Sequence, residues 1–142
     1  MRILSIVIVF LTLLVSCKKE TFNSEPTISY VSISPQTWTY CNTCINGPLL
    51  KFRLTDLEGD FGFADTAISY VYVKNVADSL NSPDSIPFPP ITIPDKSNLN
   101  VEVTVDVLNV LPPPSNTRNH YDTVYFELYV KDFAKHKSNV IR

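Results

Sequence analysis

Two short stretches of this chain carry residue types that could do chemistry. The first is Asp56-Leu57-Glu58-Gly59-Asp60, with Asp65 beyond it and Asp132 far along the chain. Alternating carboxylates around a glycine turn are the donor set of a hard cation, since calcium takes six to eight oxygen ligands at about 2.3–2.6 Å. Asp56, Glu58, Asp60 and Asp132 are therefore the candidate metal ligands, with calcium as the ion. No twelve-residue loop closed by glutamate surrounds them, which excludes an EF-hand. The competing arrangement is a solvated acidic turn that needs no cofactor. There Asp56 and Asp60 accept backbone N–H groups, and Lys135 and Lys137 balance the charge.

The second stretch is Cys41-Asn42-Thr43-Cys44, preceded by Trp38-Thr39-Tyr40. Three roles fit the pair. One is a small structural disulfide loop, and another is two free thiols. The third is a redox dithiol, which wants its first cysteine at a helix N-terminus. Ile45-Asn46-Gly47-Pro48 reads as a turn and not as a helix start. Haem attachment would need histidine after Cys44, where Ile45 stands. Zinc would need two further ligands, and the chain has two histidines, His120 and His136. No nucleophile elbow, phosphate loop or serine-histidine-acid order in context is present, so the sequence points away from an enzyme.

A third group is aromatic. Tyr70 and Tyr72 share one phase of a strand pattern, and Tyr125 and Tyr129 share a phase of another. If those strands pair, the four tyrosines form a face with apolar bodies and polar tips, suited to binding. Ordinary cross-strand packing accounts for the same pattern at about 0.2–1 kcal/mol per pair.

The elements that must position these residues are strands. Apolar and polar residues alternate with period two through most of the chain. Thr27–Ser34 changes phase between Ile28/Tyr30 and Val31/Ile33, which predicts a bulge or a change of sheet. Leu50, Phe52 and Leu54 point one way in Leu49–Thr55. Val71 and Val73 oppose Tyr70 and Tyr72 in Ala67–Lys74. Ile86–Ile93 is interrupted by proline and must be an edge strand or an extended loop. Val101, Val103, Val105 and Val107 face inward in Val101–Leu108, as do Val124, Phe126, Leu128 and Val130 in Thr123–Lys131. Ser138–Arg142 closes the chain as a short strand. No helical period is visible beyond residue 16. Eleven prolines against three glycines fit strands joined by stiff loops. About seven strands with turn signals between them predict an all-β chain, an antiparallel β-sandwich. In such a sandwich the loop after the second strand and the loop before the last share a pole, which would bring Asp132 to Asp56 and Asp60.

The beginning of the chain addresses it. Met1-Arg2 precedes an apolar run from Ile3 to Val15, too short for a bilayer-spanning helix of about 20 residues. The run ends in Leu14-Val15-Ser16-Cys17 and switches at once to Lys18-Lys19-Glu20. That arrangement resembles the lipobox of bacterial lipoprotein precursors. The resemblance implies a signal peptide over residues 1–16, lipidation of Cys17, and stable anchoring by two or more acyl chains. Residues 17–26 then form the lipidated tether and residues 27–142 the folded domain. Lys18 is not the aspartate that retains some lipoproteins in the inner membrane, and Lys-Lys-Glu departs from acidic surface-export signals. The expected address is the outer membrane, facing the periplasm, with surface exposure as the alternative. A formal charge of −2 gives no electrostatic case for nucleic acid.

Two stretches carry a further likeness, Phe52-Arg53-Leu54-Thr55-Asp56-Leu57-Glu58-Gly59-Asp60-Phe61-Gly62 and Val130-Lys131-Asp132 followed by Ser138-Asn139-Val140. Here the chain resembles small immunoglobulin-like lipoproteins of Gram-negative envelopes with an F-x-x-x-D-G-D-G-D-L-G loop. Leu57 stands where that pattern has glycine, and Lys135-His136 where it has Gly-Asn. The resemblance implies an immunoglobulin-like sandwich and an envelope address, and it brings no activity with it. The function expected is a membrane-anchored, non-catalytic binding or scaffold module whose partner is an envelope protein or glycan. The alternative is a periplasmic thiol-redox protein using Cys41 and Cys44.

Overall fold

The computed structural model describes residues 23–39, 45–64, 67–76, 82–91, 97–111 and 123–142. In chain order these residues form β1 (Thr27–Ser34), β2 (Leu49–Asp56), β3 (Phe63–Ala64), β4 (Ala67–Ile68), β5 (Tyr70–Asn75), β6 (Asp84–Pro87), β7 (Leu99–Asp106), a 3-10 turn (Leu108–Val110) and β8 (Phe126–Lys131). They assemble into two three-stranded sheets, β1-β2-β7 and β6-β5-β8, and a small β3-β4 hairpin. Every pairing is antiparallel.

The period-two pattern sets which side chains are buried. In β2, Leu50, Phe52 and Leu54 are almost completely inaccessible, and they lie opposite Val105, Val103 and Val101 of β7. In the second sheet Val71 and Val73 lie opposite Val130 and Leu128, all four buried. Side chains from both sheets, with Phe61 and Phe88 from the connections, form one core cluster. Burying each such side chain is worth roughly 1.5–3 kcal/mol. The Phe61 and Phe88 rings pack at 5.1 Å between centroids.

The phase change in β1 is a bulge. Tyr30 pairs with Phe52 and Ser32 with Lys51, leaving Val31 as the extra residue. Ile28 is buried before it and Ile33 packs against the core after it.

Three expected strands differ in the structure. Ala67–Lys74 is split at Ser69, whose buried hydroxyl accepts the Gly62 N–H at 2.8 Å. The Ser69 amide donates to the Gly62 carbonyl, while its carbonyl accepts from Phe88. Ser69 thus hands the chain from the hairpin to the second sheet. Of the proline-interrupted segment Ile86–Ile93, Ile86 and Pro87 belong to the edge strand β6, and residues 88–91 run on outside any strand. The last segment is not a regular strand. It meets the free edge of β8 through two isolated bridges, Lys131 with Lys137 and Leu128 with Ile141. Between them the Ser138 hydroxyl takes the Val130 N–H at 3.0 Å, where a strand would offer a carbonyl.

Gly47 sets the approach to β2. Its N–H donates to the Asp106 carboxylate at 2.9 Å, and the same carboxylate accepts the Leu108 N–H at 2.8 Å. A Cβ on Gly47 would stand 2.6 Å from Leu108 Cβ and 2.7 Å from its Cα. Relief of that clash requires backbone movement. Gly47→Ala is expected to lower stability by about 1–3 kcal/mol, measured as a fall in the denaturant midpoint with unchanged slope.

Candidate functional site

The acidic site is assembled by the loops that leave β2 and β8. Asp56 is the last residue of β2 and is fully buried. Its Oδ2 accepts the Gly59 N–H at 2.6 Å, an aspartate turn of the kind that competes with strand pairing. Gly59, at φ 64°, supplies the left-handed backbone that closes it. Asp60 then faces the other loop. Its carbonyl accepts the Phe133 N–H at 3.1 Å and its Oδ2 accepts the Ala134 N–H at 3.3 Å. Asp132 follows β8 directly and is 1% exposed. Its Oδ1 accepts the His136 N–H at 2.8 Å. Its Oδ2 lies 2.8 Å from His136 Nδ1, which must carry the proton when the carboxylate is ionised.

Asp56, Asp60 and Asp132 each offer a carboxylate oxygen, and these oxygens lie within 4.8 Å of one another. Two unit charges at that separation repel by about 3–4 kcal/mol at an effective dielectric of about 20. Asp56 Oδ1 and Asp60 Oδ1 are buried atoms with no hydrogen-bond partner. Burial pushes the Asp56 carboxyl up to about 6 against the Gly59 hydrogen bond, with the charges of Asp60, Glu58 and Asp132 adding to the rise. Asp60 is raised as well, by burial first and then by the charge of Asp132.

The structure thus brings together Asp56, Asp60 and Asp132. Glu58 is exposed and lies outside this group of three. The counter-charges differ from the expected lysines. Lys137 is turned over the Tyr129 ring at 4.1 Å from its centroid. Lys135 sits at the turn itself, with φ 73° and an exposed side chain. Among the described residues the side chain that meets the cluster is the His136 imidazole, with Nδ1 2.8 Å from Asp132 Oδ2. The sequence signal for it was its spacing of four from Asp132, weak because that spacing is uninformative outside a helix.

The tyrosine pattern resolves into a compact stack. Tyr72 pairs in register with Tyr129, and their rings stack at 4.8 Å and 8°. Tyr70 is 6.4 Å from Tyr72, and Lys131 lies 5.3 Å from the Tyr72 centroid. Tyr125 is 67% exposed, one residue ahead of β8, and its carbonyl accepts the Val76 N–H, continuing the β5–β8 ladder. Burial raises the Tyr129 hydroxyl above its ordinary value. Cys17, Cys41 and Cys44, with the signal and most of the tether, lie outside the described residues.

No family model, curated protein or solved structure matches this chain.

The raised carboxyls make stability depend on pH in a defined direction. Asp56 moves from 3.8 to about 6, so the folded chain holds this proton more tightly than the unfolded one. Between those values the folded state binds more protons, and stability falls as pH rises. The full cost of ionisation is on the order of 3 kcal/mol. In divalent-free buffer the melting temperature is expected to rise as pH is lowered from about 7.5 to about 5. Asp56→Asn should flatten that rise and stabilise the protein at neutral pH, which a pH series of melting curves reads directly.

Proposed function

We propose that this chain is a lipid-anchored, non-catalytic binding module of the bacterial cell envelope, built on an immunoglobulin-like antiparallel β-sandwich. Cys17 anchors it to the outer membrane, residues 17–26 tether it, and the domain beyond faces the periplasm. The sandwich is supported by the shared core of the two three-stranded sheets and by the meeting of the loops that leave β2 and β8.

The observation that carries the binding role is the outer face of β5 and β8. Val71, Val73, Leu128 and Val130 take the inner side, which leaves Tyr70, Tyr72, Tyr125 and Tyr129 on the other. The stacked rings occupy one another's faces, and Lys137 covers Tyr129. What the stacked pair offers is therefore hydroxyls, ring edges and the ammonium groups of Lys131 and Lys137. Flat stacking on a sugar ring is poorly served by that pair. An envelope protein presenting acidic and hydrogen-bond-accepting side chains is better served, since tyrosine is enriched at protein contacts and the two ammonium groups complement acidic charge. The thiol-redox alternative depends on Cys41 at a helix N-terminus, and both cysteines lie outside the described residues.

A photo-crosslinking residue in place of Tyr125, in cells making the full chain, tests this function. A discrete envelope-protein adduct is expected. It should be lost in Tyr72→Ala/Tyr129→Ala protein that keeps a wild-type circular dichroism spectrum, and lost again in Cys17→Ser protein, which should also fail to incorporate palmitate. An adduct indifferent to both changes, or none at all, overturns the proposal.

A further inference from the structure

We propose that Asp56, Asp60 and Asp132 form a divalent-cation site, suited to calcium, that ties the loop after β2 to the loop after β8. Carboxylates gathered at a loop end do not by themselves make a site. The deciding observation is Asp56, which is 0% exposed and whose Oδ1 has no hydrogen-bond partner. Asp60 Oδ1 is likewise buried and unpartnered. A buried acceptor left unsatisfied is destabilising, and more so when charged.

Each carboxylate divides its oxygens in the way a cation requires. Asp56 Oδ2 is held by the Gly59 N–H and Asp60 Oδ2 by the Ala134 N–H. These bonds fix both carboxylates and leave the Oδ1 atoms as donors. Asp132 is oriented by the His136 amide and imidazole, and each of its oxygens keeps a lone pair for a metal. The histidine here orients a ligand and is not itself one, an outer-shell arrangement common around metals.

Ligand type and geometry favour calcium. Three carboxylate oxygens within 4.8 Å of one another fit inside a calcium shell, whose opposite oxygens stand roughly 4.6–5.2 Å apart. Calcium accepts the irregular geometry that two loops supply, where magnesium demands a near-ideal octahedron. Backbone carbonyls and water complete the six to eight ligands calcium takes. With three carboxylates, the expected affinity falls in the range of extracellular calcium modules, on the order of 10⁻⁴–10⁻³ M.

Calorimetric titration of the chelator-treated, detergent-solubilised full chain with calcium chloride tests the site. One ion per chain is expected, with magnesium chloride bound about tenfold more weakly. The melting temperature should climb with calcium concentration, because an ion that binds only the folded state stabilises it by mass action. Asp60 is the least buried of the three, so Asp60→Asn keeps the fold and should weaken calcium binding about tenfold or more. Glu58→Gln should leave it unchanged. Asp56→Asn provides a second reading, a higher melting temperature than wild type in chelator with no response to calcium. Absence of both heat and a melting shift at millimolar calcium overturns the proposal. Binding that survives Asp60→Asn intact also overturns it, and equal binding of magnesium overturns the assignment to calcium.

Discussion

Charge placed where water cannot reach it governs the architecture of this chain. Asp56 ends a strand of one sheet and Asp132 follows a strand of the other, and both are buried. Their carboxylates, with that of Asp60, meet within 4.8 Å. Like charges at that distance oppose folding unless something lies between or beside them. Backbone N–H groups from Gly59, Ala134 and His136 meet part of that demand. The same bonds stitch the two loops, because the donors to Asp60 come from Phe133 and Ala134. An electrostatic liability and a mechanical joint are thus one feature. A cation bound there would turn the first into support for the second.

The opposite margins of the sheets are closed by side chains that imitate backbone. β1 is an edge strand, and the Asn139 amide both accepts the Ile28 N–H at 2.8 Å and donates to the Ile28 carbonyl at 2.9 Å. One residue earlier, Ser138 takes the Val130 N–H on the edge of β8. Two neighbouring residues therefore each meet one backbone position on one edge of each sheet, Ile28 of β1 and Val130 of β8. Open edges invite pairing with other chains, and this short segment covers part of two of them while joining the sheets. The tyrosine stack gains from the same segment, since Lys137 belongs to it and lies over Tyr129.

Hydrophobic alternation made β2, β5, β7 and β8 legible, because each buries one face and exposes the other. The break in phase after Tyr30 was legible too, as a bulge or a change of sheet, and the structure has the bulge. The meeting of Asp132 with Asp56 and Asp60 was expected once the loop after the second strand and the loop before the last were placed at one pole. Ser69, Ser138, Asn139 and His136 were not legible in these roles. Each acts by a side-chain bond to or around the backbone, and such bonds leave no trace in periodicity. Lysine proximity in sequence likewise misled. Lys137 found a ring face through strand register, while His136, bound through both its amide and its ring, took the carboxylate.

The cation at the joint is the central claim, and a crystal structure of the protein grown in millimolar calcium tests it most directly. The account predicts one density peak coordinated at about 2.3–2.6 Å by Asp56 Oδ1, Asp60 Oδ1 and an oxygen of Asp132. Water or a shared proton on those same oxygens, with no ion beside them, would contradict it.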